Sequence, residues 1–233
     1  MSAQPHAISA LPGASATASA IGLYARATAG FDKRVAETVA LLRQAAATGA
    51  TTQASSLGAE DMVITHLINA HALPISIFVL ETGALHGETL ALLDQLQAQQ
   101  AMHPHAPLTV YRPVAEAVVQ FITREGADAM VRSIELRKAC CGIRKMEPLA
   151  RALAGKSAWI TGLRREQSGA RAEVPLVDTS EQAPKGLIKF NPLANWTWGD
   201  VWHYIALNQV AYNPLHDQFF PSIGCAPCTR AIA

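Results

Sequence analysis

The stretch of sequence that decides the fold is Ile75-Ser76-Ile77-Phe78-Val79-Leu80-Glu81-Thr82-Gly83. Its first part is an almost unbroken apolar run, which is typical of a strand buried on both faces of a parallel sheet. The polar residues and the glycine that follow are typical of the turn that ends such a strand. Because similar strands alternate with helical patterns along the chain, the sequence predicts an α/β fold with a parallel sheet flanked by helices.

Further strands and helices are predicted on both sides of this stretch. The strands cover Thr51 to Ser56, Leu108 to Tyr111, Ala158 to Thr161 and Leu187 to Phe190. The helices cover Phe31 to Ala47, Met62 to His71, Glu88 to Gln100, Ala115 to Glu125, the region of Lys145 to Leu153, and Thr197 to Asn208, in which Thr197 is the N-cap. Residues 1–20, rich in Ala and Ser, are predicted to form a mobile N-terminal tail, and residues 21–233 a single α/β domain.

The composition excludes several classes of protein. The formal net charge is +1 over 233 residues, so no overall field favours binding to a nucleic acid or to an anionic membrane. No apolar run reaches the ~18 residues of a transmembrane helix, and the N-terminus lacks the basic start and apolar stretch of a signal peptide. We therefore expect a cytoplasmic protein with no nucleic-acid partner and no membrane partner.

The chain has four cysteines, in two pairs: Cys140-Cys141 and Cys225-Ala226-Pro227-Cys228. Four thiolates that converge from two distant points match an iron–sulfur cluster or a structural zinc site. The adjacent pair favours the cluster, because zinc usually takes ligands spaced by two or more residues, whereas a cubane has irons at separate corners. A thioredoxin-like redox pair, buried structural thiols and a surface disulfide remain as alternatives, and a reducing cytoplasm disfavours the last.

Polar segments follow three of the predicted strands, and ligands of open parallel sheets bind beyond the carboxyl ends of strands. In the first segment, Ser55 to Asp61, hydroxyls and backbone amides precede a helix and are able to hold an anion, while Gly58 allows close backbone approach. The same pattern is often only a helix N-cap. The second segment, Leu80 to Gly83, resembles an ordinary turn, but its predicted position beside the first segment favours a role in binding.

The third polar segment runs from Thr161 to Arg171 and contains Arg164, Arg165 and Arg171. Guanidinium groups match phosphate and sulfate oxygens in bidentate fashion, so the segment predicts an anion site. The alternative is a solvated surface loop in which Glu166 pairs with an arginine.

Three further features carry less specific signals. Arg144 and Lys145 directly follow the cysteine pair, where cations are able to offset the charge of a thiolate-bound cluster and attract an anionic substrate. The aromatic group near the last helix is expected to pack in the core, and His216 is expected to be a hydrogen-bonded loop residue.

Taken together, these motifs resemble a known family over roughly residues 25–233. The stretches that carry the resemblance are Ser56 to Asp61, Leu80 to Gly83 with Leu85-His86 and Glu88-Thr89, Cys140 to Lys145, Thr161 to Ser168, Asn191-Pro192-Leu193 and Gly224 to Arg230. The chain is similar to the assimilatory adenylyl-sulfate (APS) reductases, the cluster-bearing branch of the phosphoadenylyl-sulfate reductase family. The combination of Cys-Cys with Cys-x-x-Cys separates this branch from reductases that lack the cluster.

The resemblance implies an adenine nucleotide α-hydrolase-like fold and one 4Fe-4S cluster per chain, held by Cys140, Cys141, Cys225 and Cys228. It implies that Lys145 supports catalysis, because it would bridge the cluster and the phosphosulfate. The substrate-binding residues that it implies are Ser55, Ser56, Leu57, Gly58, Glu60, Asp61, Leu80, Thr82, Gly83, Lys145, Gly162, Arg164, Arg165, Gln167 and Arg171.

The activity that the resemblance implies is the thioredoxin-dependent reduction of adenylyl sulfate to sulfite and AMP, in sulfate assimilation for cysteine biosynthesis. The partners would be adenylyl sulfate, reduced thioredoxin and other copies of the chain in a homo-oligomer. The family's nucleophilic cysteine lies in a C-terminal tail, so it is expected beyond Ala233, and residues 1–233 alone are expected to be inactive.

Two other functions remain open. One is a catalytically incomplete iron–sulfur protein that only binds adenylyl sulfate or another adenine nucleotide. The other is a non-redox nucleotide-dependent enzyme of the same fold, although the Ser-Gly-Gly-x-Asp-Ser-like loop usual in such enzymes is absent at Ser55 to Asp61.

Overall fold

The computed structural model describes residues 19–180 and 186–232. Its strands are β1 (Thr51–Ser55), β2 (Ser76–Leu80), β3 (Leu108–Tyr111), β4 (Ala158–Ile160), β5 (Val177–Asp178) and β6 (Ile188–Phe190). Within the described residues they form one sheet in the order β3-β2-β1-β4-β6-β5. All neighbouring pairs are parallel except β5 with β6, which confirms the predicted fold class.

The helices are α1 (Ala20–Tyr24), α2 (Phe31–Ala47), α3 (Ala59–Ala70), α4 (Gly87–Gln100), α5 (Ala115–Glu125), α6 (Ala129–Arg132), α7 (Ile134–Cys141), α8 (Glu147–Leu153) and α9 (Trp198–Asn208). A π-helical turn, Gly142–Met146, joins α7 to α8, and short 3-10 helices cover Arg165–Gln167, Gly169–Arg171, Pro214–Gln218 and Ala226–Cys228. None of the helices in the described ranges has the length and apolarity needed for a bilayer span.

Most predicted elements are confirmed, with small shifts at their ends. The bounds of α2, α5 and β3 agree with the prediction, and α3 begins three residues earlier than predicted, directly after Gly58. The sequence prediction missed α1, β5, α6 and α7. Of the predicted N-terminal tail, residues 1–18 lie outside the described residues, whereas Ala20 begins α1 and its amide donates to Asp217 Oδ1 at 2.7 Å.

The order of the strands places one crevice at the centre of the sheet. From β1, the chain passes to β2 and β3 on one side and then returns to β4 on the other side of β1. The loops that follow β1 and β4 therefore diverge above the sheet, at the topological switch point where open α/β sheets bind ligands.

Two apolar clusters support this frame. The main core joins inward side chains of the sheet to α2, α3, α4 and α9, and it includes the fully buried Trp196 and Trp202, as expected for core aromatics. A smaller cluster contains Phe121, Ala129, Met130 and Cys140, and it ties α5 and α6 to α7, the helix that ends in the cysteine pair.

The start of α9 is fixed by one buried carboxylate, Asp200, whose side chain is fully buried. It accepts from the Thr197 amide at 3.0 Å and the Thr28 amide at 2.9 Å, and it pairs with Arg34 at 3.1 Å, while Thr197 Oγ1 accepts from the Asp200 amide. The predicted N-cap is thus confirmed as one half of a capping box. Although burial raises the pKa of Asp200, the hydrogen bonds from Thr28 and Thr197 outweigh it, and the net shift is downward.

We expect Asp200→Asn to lower the free energy of unfolding by about 2–3 kcal/mol at neutral pH, because the amide cannot accept at both oxygens. A depressed pKa gives stability that is present above the unfolded-state pKa and is lost as pH falls through the folded-state pKa. The difference from wild type should therefore begin to shrink below about pH 4 and disappear only at a pH below the depressed folded-state pKa of Asp200. Urea denaturation at several pH values measures this, with Asp94→Asn, an exposed residue of α4, as the matched control. Equal effects of the two variants at neutral pH would contradict the assignment.

Candidate functional site

A cavity of about 950 Å³ lies at the carboxyl ends of β1, β2 and β4. The predicted substrate-binding residues that line it are Ser55, Ser56, Gly58, Glu60, Asp61, Leu80, Thr82, Lys145, Gly162, Arg164, Gln167 and Arg171. Three others, Leu57, Gly83 and Arg165, do not line it. The loops from all three strand ends thus meet at one cavity, and the substrate contacts of their residues stay a prediction.

The side chain of Leu57 anchors the loop after β1 in the core. This side chain is 1% exposed and packs in the main core, which accounts for its absence from the cavity wall. Its backbone has a φ of 63°, a left-handed conformation that is uncommon for residues other than glycine, and its amide donates to Ser55 Oγ at 3.2 Å. Leu57 therefore anchors the sharp turn that carries Ser56 and Gly58 into the cavity wall.

The loops after β1 and β4 meet at Asp61 and Gly162. Asp61 Oδ2 accepts from the amide and the hydroxyl of Ser56, both at 2.7 Å. A Cβ atom added to Gly162 would lie 2.5 Å from Asp61 Oδ1 and 2.9 Å from the Cβ of Glu60, so the close approach requires glycine. Burial raises the pKa of Asp61 to about 6, against the lowering effect of the Ser56 hydrogen bonds.

Arg164 lies inside the wall rather than on an open loop. Its side chain is 5% exposed, and it contacts Glu60 at 2.9 Å and Glu166 at 2.8 Å. Its guanidinium carbon is 5.2 Å from the ring centroid of Trp198. Two carboxylates thus offset its charge, so Arg164 is suited to holding α3 against the β4 loop rather than to binding a free anion.

The other two arginines of this segment differ from Arg164. Arg165 is turned away from the cavity, where Nε donates to Val174 O at 2.9 Å and Nη1 donates to Asn195 Oδ1 at 2.7 Å. Arg171 lines the cavity and donates to Gln167 Oε1. Across the described residues, Lys145 and Arg171 are the cavity-lining cations that form no salt bridge, so they are the charges available to an anionic ligand.

The π-helical turn after the cysteine pair orients two cations differently. In this turn the Glu147 amide donates to Gly142 O, five residues back. Arg144 is buried and donates to Thr82 O at 2.6 Å, while Lys145 lines the cavity. Single π-helical turns inside α-helices are frequent at functional sites, and this one directs neighbouring residues to two different partners.

Thr82 connects the two cysteine pairs. Its carbonyl accepts from Arg144, which lies close enough to Cys140 to lower the pKa of that thiol, and its hydroxyl lies 3.2 Å from Cys225 Sγ. The segment around Cys225 pairs with the β2 loop through a bridge to Leu85, and the Ala226 amide donates to Ala84 O at 2.7 Å. The loop after β2 therefore brings two distant parts of the chain together beside the cavity.

Three of the four thiols lie near one another at this end of the sheet. Burial raises the pKa of the Cys140 thiol, Arg144 opposes this, and the neighbouring Cys141 and Cys225 thiols raise it further, so these three groups lie close enough to interact. All four cysteines are free, and the 3-10 turn that ends at Cys228 packs on α6. The described residues contain no group of three or more His, Cys, Asp or Glu placed for one metal ion. Thiolates are the donors that an iron–sulfur cluster takes, so the residue types of this group suit such a cluster.

Four cavity-lining aromatic residues were not predicted as site residues: Phe78, Trp159, Trp198 and His216. His216 is 3% exposed, and Nδ1 contacts Phe220 O at 2.8 Å, which confirms the expected hydrogen bond of this loop histidine. Burial lowers its pKa, so the ring is neutral near pH 7. Nothing in the sequence distinguishes these residues from core aromatics, and Trp198 does pack against the main core.

The sheet order, the switch-point crevice and the strand-end loops define the class of protein: an α/β protein with an adenine nucleotide α-hydrolase-like fold. Residues 50–231 match the phosphoadenosine phosphosulfate reductase domain, and the chain belongs to that family. It is 51% identical to the adenosine 5'-phosphosulfate reductase of Allochromatium vinosum over 179 residues, which cover 77% of this chain and 68% of that protein. The corresponding enzyme of Neisseria meningitidis serogroup A is 49% identical, over 77% of this chain and 71% of its own length.

Solved structures agree with this assignment. The phosphoadenylyl-sulfate reductase of Candida auris, in a phosphate complex, has a TM-score of 0.69 and 27% identity, and the match covers 88% of this chain and 100% of that one. The FMN adenylyltransferase of Candida glabrata in complex with ATP has a TM-score of 0.56 and 12% identity, over 90% of this chain and 67% of that one. The second likeness concerns the fold alone.

Proposed function

We propose that the chain is the nucleotide-binding and cluster-binding part of an adenylyl-sulfate reductase, which reduces adenylyl sulfate to sulfite and AMP with electrons from thioredoxin. The observation that carries the proposal is the position of Thr82, which lines the nucleotide-sized cavity and also contacts Arg144 and Cys225. A nucleotide in the crevice would thus lie beside the cysteine pairs. Relatives named adenosine 5'-phosphosulfate reductase support the choice of substrate.

The proposed cluster is one 4Fe-4S group held by Cys140, Cys141, Cys225 and Cys228. When bound, it supplies a cross-link between the two cysteine pairs and a local electrostatic field. The buried Arg144 offsets negative charge beside Cys140, and the free Lys145 extends positive potential into the cavity. This arrangement supports placing the phosphosulfate of the substrate at the Lys145 side of the cavity.

The proposed chemistry is thiol transfer. A cysteine thiolate attacks the sulfur of the sulfate group, a sulfur–sulfur bond forms, and the sulfur–oxygen bond to AMP breaks. Lys145 and Arg171 stabilise the charge that develops on the departing phosphate. A thioredoxin thiolate then attacks the cysteine sulfur of the sulfonated cysteine, so that sulfite leaves with the bonding electron pair and a mixed disulfide forms. The second thioredoxin thiol attacks this mixed disulfide, which releases the enzyme cysteine and leaves thioredoxin as its disulfide.

None of the four cysteines present is assigned as the nucleophile, because all four are assigned to the cluster. In this proposal a fifth cysteine attacks the substrate, and residues 1–233 bind the nucleotide without forming an S-sulfonated adduct. The proposal also includes self-association and a cytoplasmic location.

The test is anaerobic reconstitution with iron and sulfide, followed by calorimetric titration with adenylyl sulfate and with its 3'-phosphorylated form. We expect about four irons per chain. We also expect a higher affinity for adenylyl sulfate than for its 3'-phosphorylated form. Replacement of Cys225 by Ser should remove most of the iron. A folded chain that takes up no iron, or that binds neither nucleotide, would contradict the proposal.

A further inference from the structure

The Asp61 side chain lies at the cavity wall, but its two oxygens are engaged by other residues of the protein. One oxygen accepts both Ser56 donors at 2.7 Å. The other lies against Gly162, where no Cβ has room, and the Gly162 amide is close enough to lower the pKa of the carboxyl. Asp61 is 8% exposed, so little of its surface remains for a ligand. Its carboxylate therefore joins the loop after β1 to the loop after β4.

The charged groups around Asp61 leave it without a cation of its own. Glu60, its neighbour on α3, repels it, and Arg164 from the β4 loop is engaged by Glu60 and Glu166. From the remaining walls, Lys145, Arg171 and His216 line the same cavity, and among the described residues no salt bridge reaches Asp61. A buried carboxylate without a cation depends on hydrogen-bond donors to remain ionised, and Ser56 supplies two of them.

We propose that Asp61 is a positioning residue: its ionised carboxylate holds the loops after β1 and β4 at the separation that a nucleotide requires, and it does not contact the nucleotide. This inference rests on the proposed function and deepens it, because it makes nucleotide affinity depend on the charge of one buried group. A protonated carboxyl loses one acceptor site and presents an O–H, so it cannot hold both loops in the same way.

The role predicts opposite pH dependences for binding and stability. Nucleotide affinity should fall as the pH falls through about 6, where Asp61 becomes protonated. A raised pKa contributes stability that is present below the unfolded-state pKa and is lost as pH rises through the folded-state pKa. The ionised Asp61 is thus unfavourable for stability at neutral pH and favourable for binding. A residue with a purely structural role would lose both properties together.

The experiment measures adenylyl sulfate affinity and thermal stability between about pH 5 and about pH 8 for wild type and Asp61→Asn. The phosphate and sulfate groups of adenylyl sulfate keep their charge over this range, so only the protein titrates. We expect the wild-type affinity to fall about tenfold for each pH unit below about 6. Asp61→Asn should bind about tenfold or more weakly at neutral pH, with a flat pH profile and no loss of thermal stability.

Two further variants complete the test. Ser56→Ala removes a donor to the carboxylate and should move the midpoint of the affinity profile to higher pH. Asp94→Asn should follow wild type at every pH. Protonation of His216 adds positive charge, so it would change anion affinity in the opposite direction.

The outcomes separate the inference from the proposed function. Wild-type affinity and slope in Asp61→Asn would overturn the inference, and so would a parallel loss of affinity and stability at neutral pH. A wild-type chain that binds adenylyl sulfate at no pH would instead overturn the proposed function, and the inference with it.

Discussion

Arg164→Met is expected to lower the free energy of unfolding by about 3–5 kcal/mol and to abolish measurable nucleotide binding. The guanidinium is buried between Glu60 and Glu166, at 2.9 and 2.8 Å, and it lies over the Trp198 ring. Methionine fills part of the volume but leaves Glu60, whose side chain is 13% exposed, without its cation. Repulsion between Glu60 and Asp61 would then open the wall of the cavity. Urea denaturation and calorimetric titration with AMP measure the two effects.

The matched control is Arg165→Met, the same substitution at the neighbouring arginine. Arg165 is exposed and bonds to Val174 O and Asn195 Oδ1, so its loss should cost about 1 kcal/mol or less. If both variants lost similar stability, burial of Arg164 between carboxylates would not be the feature that holds the wall together.

Gly162→Ala is expected to weaken AMP binding by about 10- to 100-fold, which corresponds to about 1.4–2.8 kcal/mol. The new methyl group would lie 2.5 Å from Asp61 Oδ1 and 2.9 Å from Glu60 Cβ, so one of the two facing loops has to move away. Overpacking of this kind costs about 1–3 kcal/mol. Calorimetric titration of AMP into wild type and variant gives the ratio of affinities.

Gly87→Ala is the control for this change, because an added Cβ at the start of α4 meets no atom within 4 Å. We expect it to leave AMP affinity unchanged and to stabilise the fold by about 0.5–1 kcal/mol through helix propensity. An unaltered affinity in Gly162→Ala would show that the two loops have room to separate without loss of the site.

Elements with a strong local signal were predictable from the sequence. The apolar run of β2 and the helical spacing of α2 are patterns of neighbouring residues, so they are visible in the sequence. Because parallel sheets bind ligands at the carboxyl ends of their strands, the loops after β1, β2 and β4 were expected to lie together. The two-residue strand β5 has no periodicity to detect. The start of α3 was predicted late, because Ala59 to Asp61 shows no apolar spacing although these residues form its first turn.

The chemical roles inside the site were less predictable, because they depend on partners that are distant in sequence. The segment with three arginines was predicted to bind an anion. Arg164 and Arg171 line the cavity, but Glu60, a partner of Arg164 beside Glu166, was not predicted. Arg164 is neutralised by Glu60, which lies 104 residues away, and Arg165 faces away from the cavity. Such pairings are set by the packing of α3 on the β4 loop.

The π-helical turn at Gly142–Met146 has a consequence for sequence change in this region. Removal of one residue there would restore regular α-helical hydrogen bonding and rotate all of α8 by about 100° relative to the cysteine pair. Leu149 would then leave the cavity wall, and Pro148 and Ala152 would leave their buried positions. The number of residues between Cys141 and α8 is therefore constrained by helical phase, in addition to any constraint on the identity of Arg144 and Lys145 within the turn.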